Sequence, residues 1–159
     1  MLKYVLLDNL NATQNLASFL AKRATIGMAI LLKGSLGAGK TELSRAFVRA
    51  WLNEPNAEVP SPSFTMVQFY ESTRGTVCHC DLYYLSNPGQ IDGLGLEEAF
   101  DESIVLVEWP DQLGMHIPFN RLELTLEVCD SCEWRIANLI PYGTWINHFS
   151  DLNKLFLDF

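Results

Sequence analysis

The sequence predicts an α/β protein in which a mixed parallel and antiparallel sheet lies between helices on both of its faces. Two observations support this prediction. Around a glycine-rich loop at residues 34–41, an apolar run precedes the loop and a helical pattern follows it, as in parallel α/β units. Elsewhere, paired segments joined by short turns are typical of antiparallel hairpins. Together they indicate a three-layer α/β/α fold.

The apolar spacing of the first third predicts four elements. Residues 4–7 predict a short strand, and Thr13 is the predicted N-cap of a helix that ends at about Lys22. Residues 26–33 predict the strand that enters the glycine-rich loop. Residues 42–52 predict the helix after the loop, because its apolar side chains fall on one face: Leu43, Ala46, Phe47 and Ala50.

The remaining elements follow from proline positions and from alternation. Residues 64–70 and 75–82 predict a hairpin, residues 95–100 a short helix, and residues 104–109 a buried strand that Pro110 ends. Residues 121–128 alternate strictly and turn back into residues 134–140, which predicts an antiparallel pair. Its predicted buried face carries Leu122, Leu124, Leu126 and Val128. Residues 145–157 are predicted as a closing helix.

The loop Gly34-Ser35-Leu36-Gly37-Ala38-Gly39-Lys40-Thr41 fits G-x-x-x-x-G-K-[ST], the P-loop motif, at every fixed position. Its glycines allow a tight backbone whose N–H groups surround an anion, and the next helix presents its positive end to the same phosphates. Lys40 can reach the β- and γ-phosphates, and the Thr41 hydroxyl can hold Mg²⁺. We expect the nucleotide to bind along Leu36, Gly37, Ala38, Gly39, Lys40, Thr41 and Glu42.

Two acids at strand ends compete for the roles of metal ligand and of the group that orients the attacking water. Glu108 ends the apolar run 104–107, and Asp81 ends residues 77–80; both are expected at the carboxyl edge of the sheet, where ligands bind. The sequence leaves open which acid touches Mg²⁺. His79 shares a strand face with Asp81, as an orienting or a structural residue. The base is predicted as adenine by elimination, because no N-K-x-D guanine reader exists.

Length and composition set further limits. The 159 residues are predicted to form one domain, residues 1–159, and the formal charge of −8 argues against independent binding to tRNA or DNA. No apolar run is long enough to span a membrane, and the N-terminus lacks a signal-peptide pattern, so a cytoplasmic location is expected. The four cysteines are interpreted as reduced thiols, with a zinc site as the alternative.

Five segments in order resemble the TsaE (formerly YjeE) family over about residues 7–115. They are the loop GSLGAGKT, Ser61-Pro62-Ser63-Phe64, His79-Cys80-Asp81-Leu82-Tyr83, residues 93–98, and Val107-Glu108-Trp109-Pro110. One departure is Tyr84, at a position where many members of the family have arginine. The order and spacing of the five segments make the resemblance specific, which the loop alone would not.

The resemblance implies an ATPase of tRNA N6-threonylcarbamoyladenosine biosynthesis that acts with TsaD and TsaB on position 37 of tRNA. It implies that Lys40 and Thr41 hold phosphate and Mg²⁺, that Asp81 and Glu108 are the acids near metal and water, and that residues 61–64 sense the nucleotide. Few arginines follow the loop and none has a supporting motif, so slow hydrolysis alone and stimulation by partners are expected. tRNA is expected to be contacted only through the complex.

Two other functions stay open from the residues alone. A small-molecule kinase shares the loop, but it also requires an acceptor pocket and a lid with several arginines, and neither is visible in the sequence. A nucleotide-gated interaction protein with negligible turnover would use residues 61–64 only to report the bound nucleotide. Asp81 and Glu108 argue against that second alternative, because a pure switch has less need of two strand-terminal acids.

Overall fold

The computed structural model describes residues 2–131 and 133–152 and contains a seven-stranded sheet of order β1-β7-β6-β2-β5-β4-β3. The strands β2, β4, β5 and β6 run parallel to their neighbours in the centre, whereas β1, β7 and β3 pair antiparallel towards the edges. The strands are β1 (Lys3–Leu7), β2 (Ala29–Lys33), β3 (Val67–Ser72), β4 (Gly75–Asp81), β5 (Ser103–Glu108), β6 (Arg121–Val128) and β7 (Arg135–Pro141).

Helices cover the sheet on both faces. The α-helices are α1 (Leu10–Arg23), α2 (Lys40–Leu52) and α3 (Leu96–Glu102), and three 3₁₀ helices span Pro88–Leu94, Pro110–His116 and Gly143–Asp151. The predicted three-layer α/β/α fold with a mixed sheet is therefore confirmed.

Two apolar cores separate these layers. Helices α1, α2 and the 3₁₀ helix Gly143–Asp151 pack on one face, in a core that includes Phe19, Leu20, Phe47, Trp51 and Trp145. Helix α3 and the other two 3₁₀ helices pack on the opposite face, over the alternate side chains of β2, β4 and β5. The strand β2 thus lies between both cores, which explains its continuous apolar sequence.

Several predicted element boundaries were wrong for local reasons. Helix α1 begins at Leu10 because Asn9, not Thr13, is its N-cap; the Asn9 side chain accepts a hydrogen bond from the Ala12 N–H at 2.8 Å. Strand β2 begins at Ala29, since a turn with a hydrogen bond from Met28 N–H to Thr25 O precedes it. Helix α2 includes Lys40, two residues earlier than predicted.

The later boundaries changed in the same way. Phe64 lies in a turn, and β3 begins at Val67, because Met66 has a φ of 66° that ends the extended backbone before it. Trp109 lies outside β5, with a φ of 59°. Val128 is 43% exposed, so the predicted buried face of β6 ends at Leu126. The closing helix is a 3₁₀ helix to Asp151, and the predicted residues 153–157 lie outside the described residues.

Candidate functional site

The glycine-rich loop connects the end of β2 to the start of α2 at the carboxyl edge of the parallel strands. Gly34, Gly37 and Gly39 have φ values of 144°, 77° and 107°, in the region that side chains with a Cβ disfavour. Gly34 also has no room for a side chain, because a Cβ there would lie 2.7 Å from the Leu126 carbonyl oxygen. The loop is therefore held against β6 by a close backbone approach that only glycine permits.

The Lys40 side chain lies back across this loop. Its Nζ donates to the carbonyl oxygens of Gly34 at 2.7 Å and Ser35 at 2.8 Å, and it lies 4.1 Å from the ring centroid of Trp109. Burial lowers the pKa of Lys40, and the negative charges of Glu108 and Asp81 oppose part of that shift. The ammonium is thus confined at the loop by carbonyls and an aromatic face, which are partners that a bound anion can replace.

Thr41 and Glu108 are joined directly. The Thr41 hydroxyl donates to Oε1 of Glu108 at 2.7 Å, which connects the first turn of α2 to the end of β5. The other carboxylate oxygen, Oε2, lies 2.7 Å from Nε2 of His79 on β4. Glu108 is 1% exposed and His79 is fully buried. The sequence alone predicts His79 as an orienting or a structural residue on the strand face of Asp81. Its contact with Glu108, 29 residues away, was not predicted.

Asp81 lies beside Glu108, since the two are Cα partners in the parallel pairing of β4 and β5. Its Oδ1 accepts the Tyr83 backbone N–H at 2.9 Å, and its Oδ2 accepts the Ser63 hydroxyl at 3.2 Å. Ser63 in turn lies 2.7 Å from the hydroxyl of Ser61. The serine segment predicted to sense the nucleotide is therefore connected to the loop site through Asp81.

Arg135 is a site residue that sequence reasoning missed. It lies at the start of β7, and its guanidinium donates to Ala38 O at 3.2 Å and to Gly37 O at 3.5 Å. A third hydrogen bond goes to Glu133 O at 2.7 Å. No local motif identifies this arginine, because its position at the loop depends on the return of β7 alongside β6.

Two adjoining cavities open at the loop. One has a volume of about 390 Å³ and is lined by Arg135, by the aromatic residues Tyr83, Tyr84 and Trp109, and by eight of the predicted site residues. The eight are Leu36, Gly37, Gly39, Lys40, Thr41, Glu42, Asp81 and Glu108. Glu42 lines both cavities. The second, of about 550 Å³, lies between the loop and the start of α1 and touches Asn9, Ala38, Gly39 and Arg135.

The oxygen donors at the loop fit a hard cation such as Mg²⁺, which is commonly held by one or two protein ligands together with substrate phosphates. Within residues 2–131 and 133–152, no cluster of three or more histidine, cysteine or acidic side chains is arranged to hold a metal ion. Cys78 and Cys80 are buried free thiols. Cys132 lies outside the described residues, so the zinc alternative stays open. None of the described helices is long and apolar enough to cross a membrane.

The fold and the loop define the class of protein: a mixed α/β protein with a glycine-rich loop between its central strand and the next helix. Comparison with known proteins gives the family. Residues 7–135 match the model of the family described as threonylcarbamoyl adenosine biosynthesis protein TsaE. The chain belongs to the TsaE family, which confirms the resemblance found in the sequence.

Individual relatives agree with this assignment. The chain is 36% identical to a tRNA threonylcarbamoyladenosine biosynthesis protein TsaE of Rickettsia felis over 136 residues, or 86% of this chain and 78% of that protein. The protein of the same name in Aquifex aeolicus is 34% identical over 70% of this chain and 80% of that protein. The crystal structure of YdiB from Bacillus subtilis has the same fold, with a TM-score of 0.77, 24% identity and coverage of 98% and 94% of the two chains.

Proposed function

We propose that this protein binds ATP with Mg²⁺ and hydrolyses it slowly, as an accessory ATPase of tRNA N6-threonylcarbamoyladenosine formation at position 37. It acts in the cytoplasm as a single domain with the TsaD–TsaB transferase, and tRNA meets it only through that complex. Membership of the TsaE family supports the pathway. The observation that best supports metal-dependent ATP hydrolysis is the direct hydrogen bond between Thr41, at the end of the glycine-rich loop, and Glu108.

The loop and Lys40 bind the phosphates in this proposal. Backbone N–H groups of the loop and of the first turn of α2 donate hydrogen bonds to the phosphates. The N-terminus of a helix, with its free N–H groups, favours negative charge. The Lys40 ammonium exchanges the Gly34 and Ser35 carbonyls for phosphate oxygens, a stronger, charge-assisted contact. The adjoining cavity beside Asn9 and Arg135 leaves room for the nucleoside.

Thr41 and Glu108 are the metal-side residues. They would hold Mg²⁺, which would supply neutralisation of the negative charge on the nucleotide phosphates. We assign the position nearer the metal to Glu108 and not to Asp81, because the Glu108 carboxylate already accepts a hydrogen bond from the Thr41 hydroxyl. Asp81, one strand away and supported by Ser63 and the Tyr83 N–H, is assigned to orient the attacking water.

We expect slow turnover without partners because the arginine at the loop is already engaged by backbone carbonyls. An arginine that contacts the transferring phosphoryl group accelerates such reactions by about 10³–10⁵-fold. Among the described residues, Arg135 is the arginine that lines the loop cavity, and its guanidinium donates hydrogen bonds to the carbonyls of Gly37, Ala38 and Glu133. We therefore expect the partner complex to complete or to order the site.

The test is phosphate release from ATP and Mg²⁺ by the protein alone, with TsaD and TsaB added, and with Lys40→Ala in both conditions. The proposal predicts weak release alone, an increase with the partners and none with Lys40→Ala. Release that the partners leave unchanged contradicts the accessory role. Transfer of the phosphoryl group to a small acceptor instead favours the kinase alternative.

A further inference from the structure

His79 is a buried polar side chain beside the loop site to which the proposed function assigns no role. It lies on β4 between Cys78 and Cys80, it is fully buried, and its strand position places it on the same sheet face as Asp81. Its Nε2 lies 2.7 Å from Oε2 of Glu108. Its other ring nitrogen, Nδ1, is buried and has no hydrogen-bond partner within the described part of the chain.

The hydrogen bonds around Glu108 define the direction of this contact. A carboxylate accepts hydrogen bonds and donates none, so the proton lies on Nε2 of His79 and points at Oε2. Oε1 accepts the Thr41 hydroxyl at the same time. The two donors therefore fix the carboxylate plane from opposite sides, one from β4 and one from α2, so that Oε1 is the oxygen that faces the loop.

A purely structural role explains His79 poorly. Val77 on β4 and Leu106, the Cα partner of His79 on β5, are buried and apolar, and an apolar side chain fills such a position without leaving a ring nitrogen unpaired. The only polar contact that the described residues give to His79 is with Glu108, so any benefit from an imidazole at this position acts through that carboxylate.

We propose that His79 is a positioning residue for divalent-metal binding: its Nε2–H holds Glu108 so that Oε1 stays directed at the metal beside Thr41. The inference rests on the proposed function, because it requires a nucleotide-bound metal at this place. Groups that orient a metal ligand in this way typically change metal affinity by about 10–100-fold when they are removed.

The experiment measures Mn²⁺ as the probe, by electron paramagnetic resonance of the free ion, with the full chain and ADP. His79→Leu removes the donor and retains bulk, whereas His79→Gln keeps an N–H close to the position of Nε2. Cys80→Ala is the matched control, since it changes a buried neighbour on the opposite face of β4. We expect His79→Leu to weaken Mn²⁺ binding about 10–100-fold, and His79→Gln and Cys80→Ala to remain close to the wild-type protein.

Affinity for ADP without metal is measured in parallel, and it should be equal in all four proteins. Equal Mn²⁺ affinity in His79→Leu and the wild type overturns the inference alone, as does equal loss in His79→Leu and His79→Gln. No Mn²⁺–ADP binding by the wild type overturns the proposed function, and the inference with it. If His79→Leu does not fold, His79→Asn replaces it, because its shorter amide does not reach Oε2.

Discussion

At the scale of single residues, Gly34 shows how a motif position is fixed by its surroundings. Its positive φ is a property of the loop, but the lack of space for a Cβ comes from the Leu126 carbonyl, 92 positions later in the sequence. The P-loop pattern predicts the first of these constraints and says nothing of the second.

We expect Gly34→Ala to destabilise the protein more than Gly27→Ala. Both glycines have positive φ, a conformation that costs an alanine about 1–3 kcal/mol. A Cβ at Gly34 also meets a backbone oxygen at 2.7 Å, whereas nothing lies within 4 Å of one at Gly27. Denaturant unfolding of the two variants measures the difference. Equal losses of unfolding free energy would show that β6 shifts to make room for the Cβ at position 34 without a cost in stability.

Arg135→Ala is predicted to weaken ADP binding by about tenfold, because hydrogen bonds from a charged group that order the loop contribute about 1.5–3 kcal/mol and solvent replaces part of that. Isothermal titration calorimetry measures the affinity. Arg74→Ala is the control, since its guanidinium donates to Ala21 O and lies over Trp51, far from the loop. A similar loss of affinity in both variants would assign the effect to general destabilisation.

At the scale of elements, type and order were predicted well and the ends less well. Apolar periodicity predicted every strand of the sheet, because burial on a sheet face leaves a period-two or continuous apolar pattern. The ends depend on single hydrogen bonds and single dihedral angles instead. Thr13 has the side chain of a good N-cap, but it is buried in the first turns of α1, whereas Asn9 makes the capping bond.

We therefore expect Asn9→Ala to cost about 1 kcal/mol of unfolding free energy, the usual effect of the loss of an N-cap. Asn11→Ala is the matched control, because it replaces an exposed asparagine within the same helix, where alanine is the better helix former. Thermal or denaturant unfolding followed by circular dichroism gives both values. A larger loss from Asn11→Ala than from Asn9→Ala would contradict the observed cap.

The strand β4 gives a prediction about reactivity. Burial raises the pKa of the Cys78 thiol to about 12 and also raises that of Cys80. Since the thiolate is the nucleophile, both groups stay protonated and unreactive at pH 9 while the protein is folded. Alkylation by iodoacetamide, located by peptide mass spectrometry, should modify them only after unfolding in guanidinium. Rapid modification of either one in the folded protein would show that β4 opens locally.

At the scale of the whole molecule, net charge limits what the isolated protein binds. With a formal charge of −8, it lacks the excess of lysine and arginine that releases counterions from a nucleic-acid backbone. We expect no binding to tRNA in fluorescence anisotropy at about 150 mM salt, the physiological range, until TsaD and TsaB are added. Salt-sensitive binding by the isolated chain would reveal a basic surface that the sequence does not suggest.

The sequence alone brings together those parts of the candidate site that lie within short segments. The loop residues and the two acids follow from short segments, because a strand end and a glycine pattern identify themselves. Arg135 and the contact between His79 and Glu108 were not predicted, since both depend on which strands become neighbours. Strand order brings residues together across long stretches of sequence, and periodicity within one segment carries no information about it.

The central position of β2 has a consequence for synthesis on the ribosome. Its neighbours in the sheet are β5 and β6, so β2, which leads into the loop, is synthesised long before either neighbouring strand. A nascent chain that ends before residue 103 holds an apolar strand with both edges open, the kind of surface on which aggregation begins. Arg135 is the last of the residues at the loop to be synthesised, so the candidate site is complete only after residue 135 has been added.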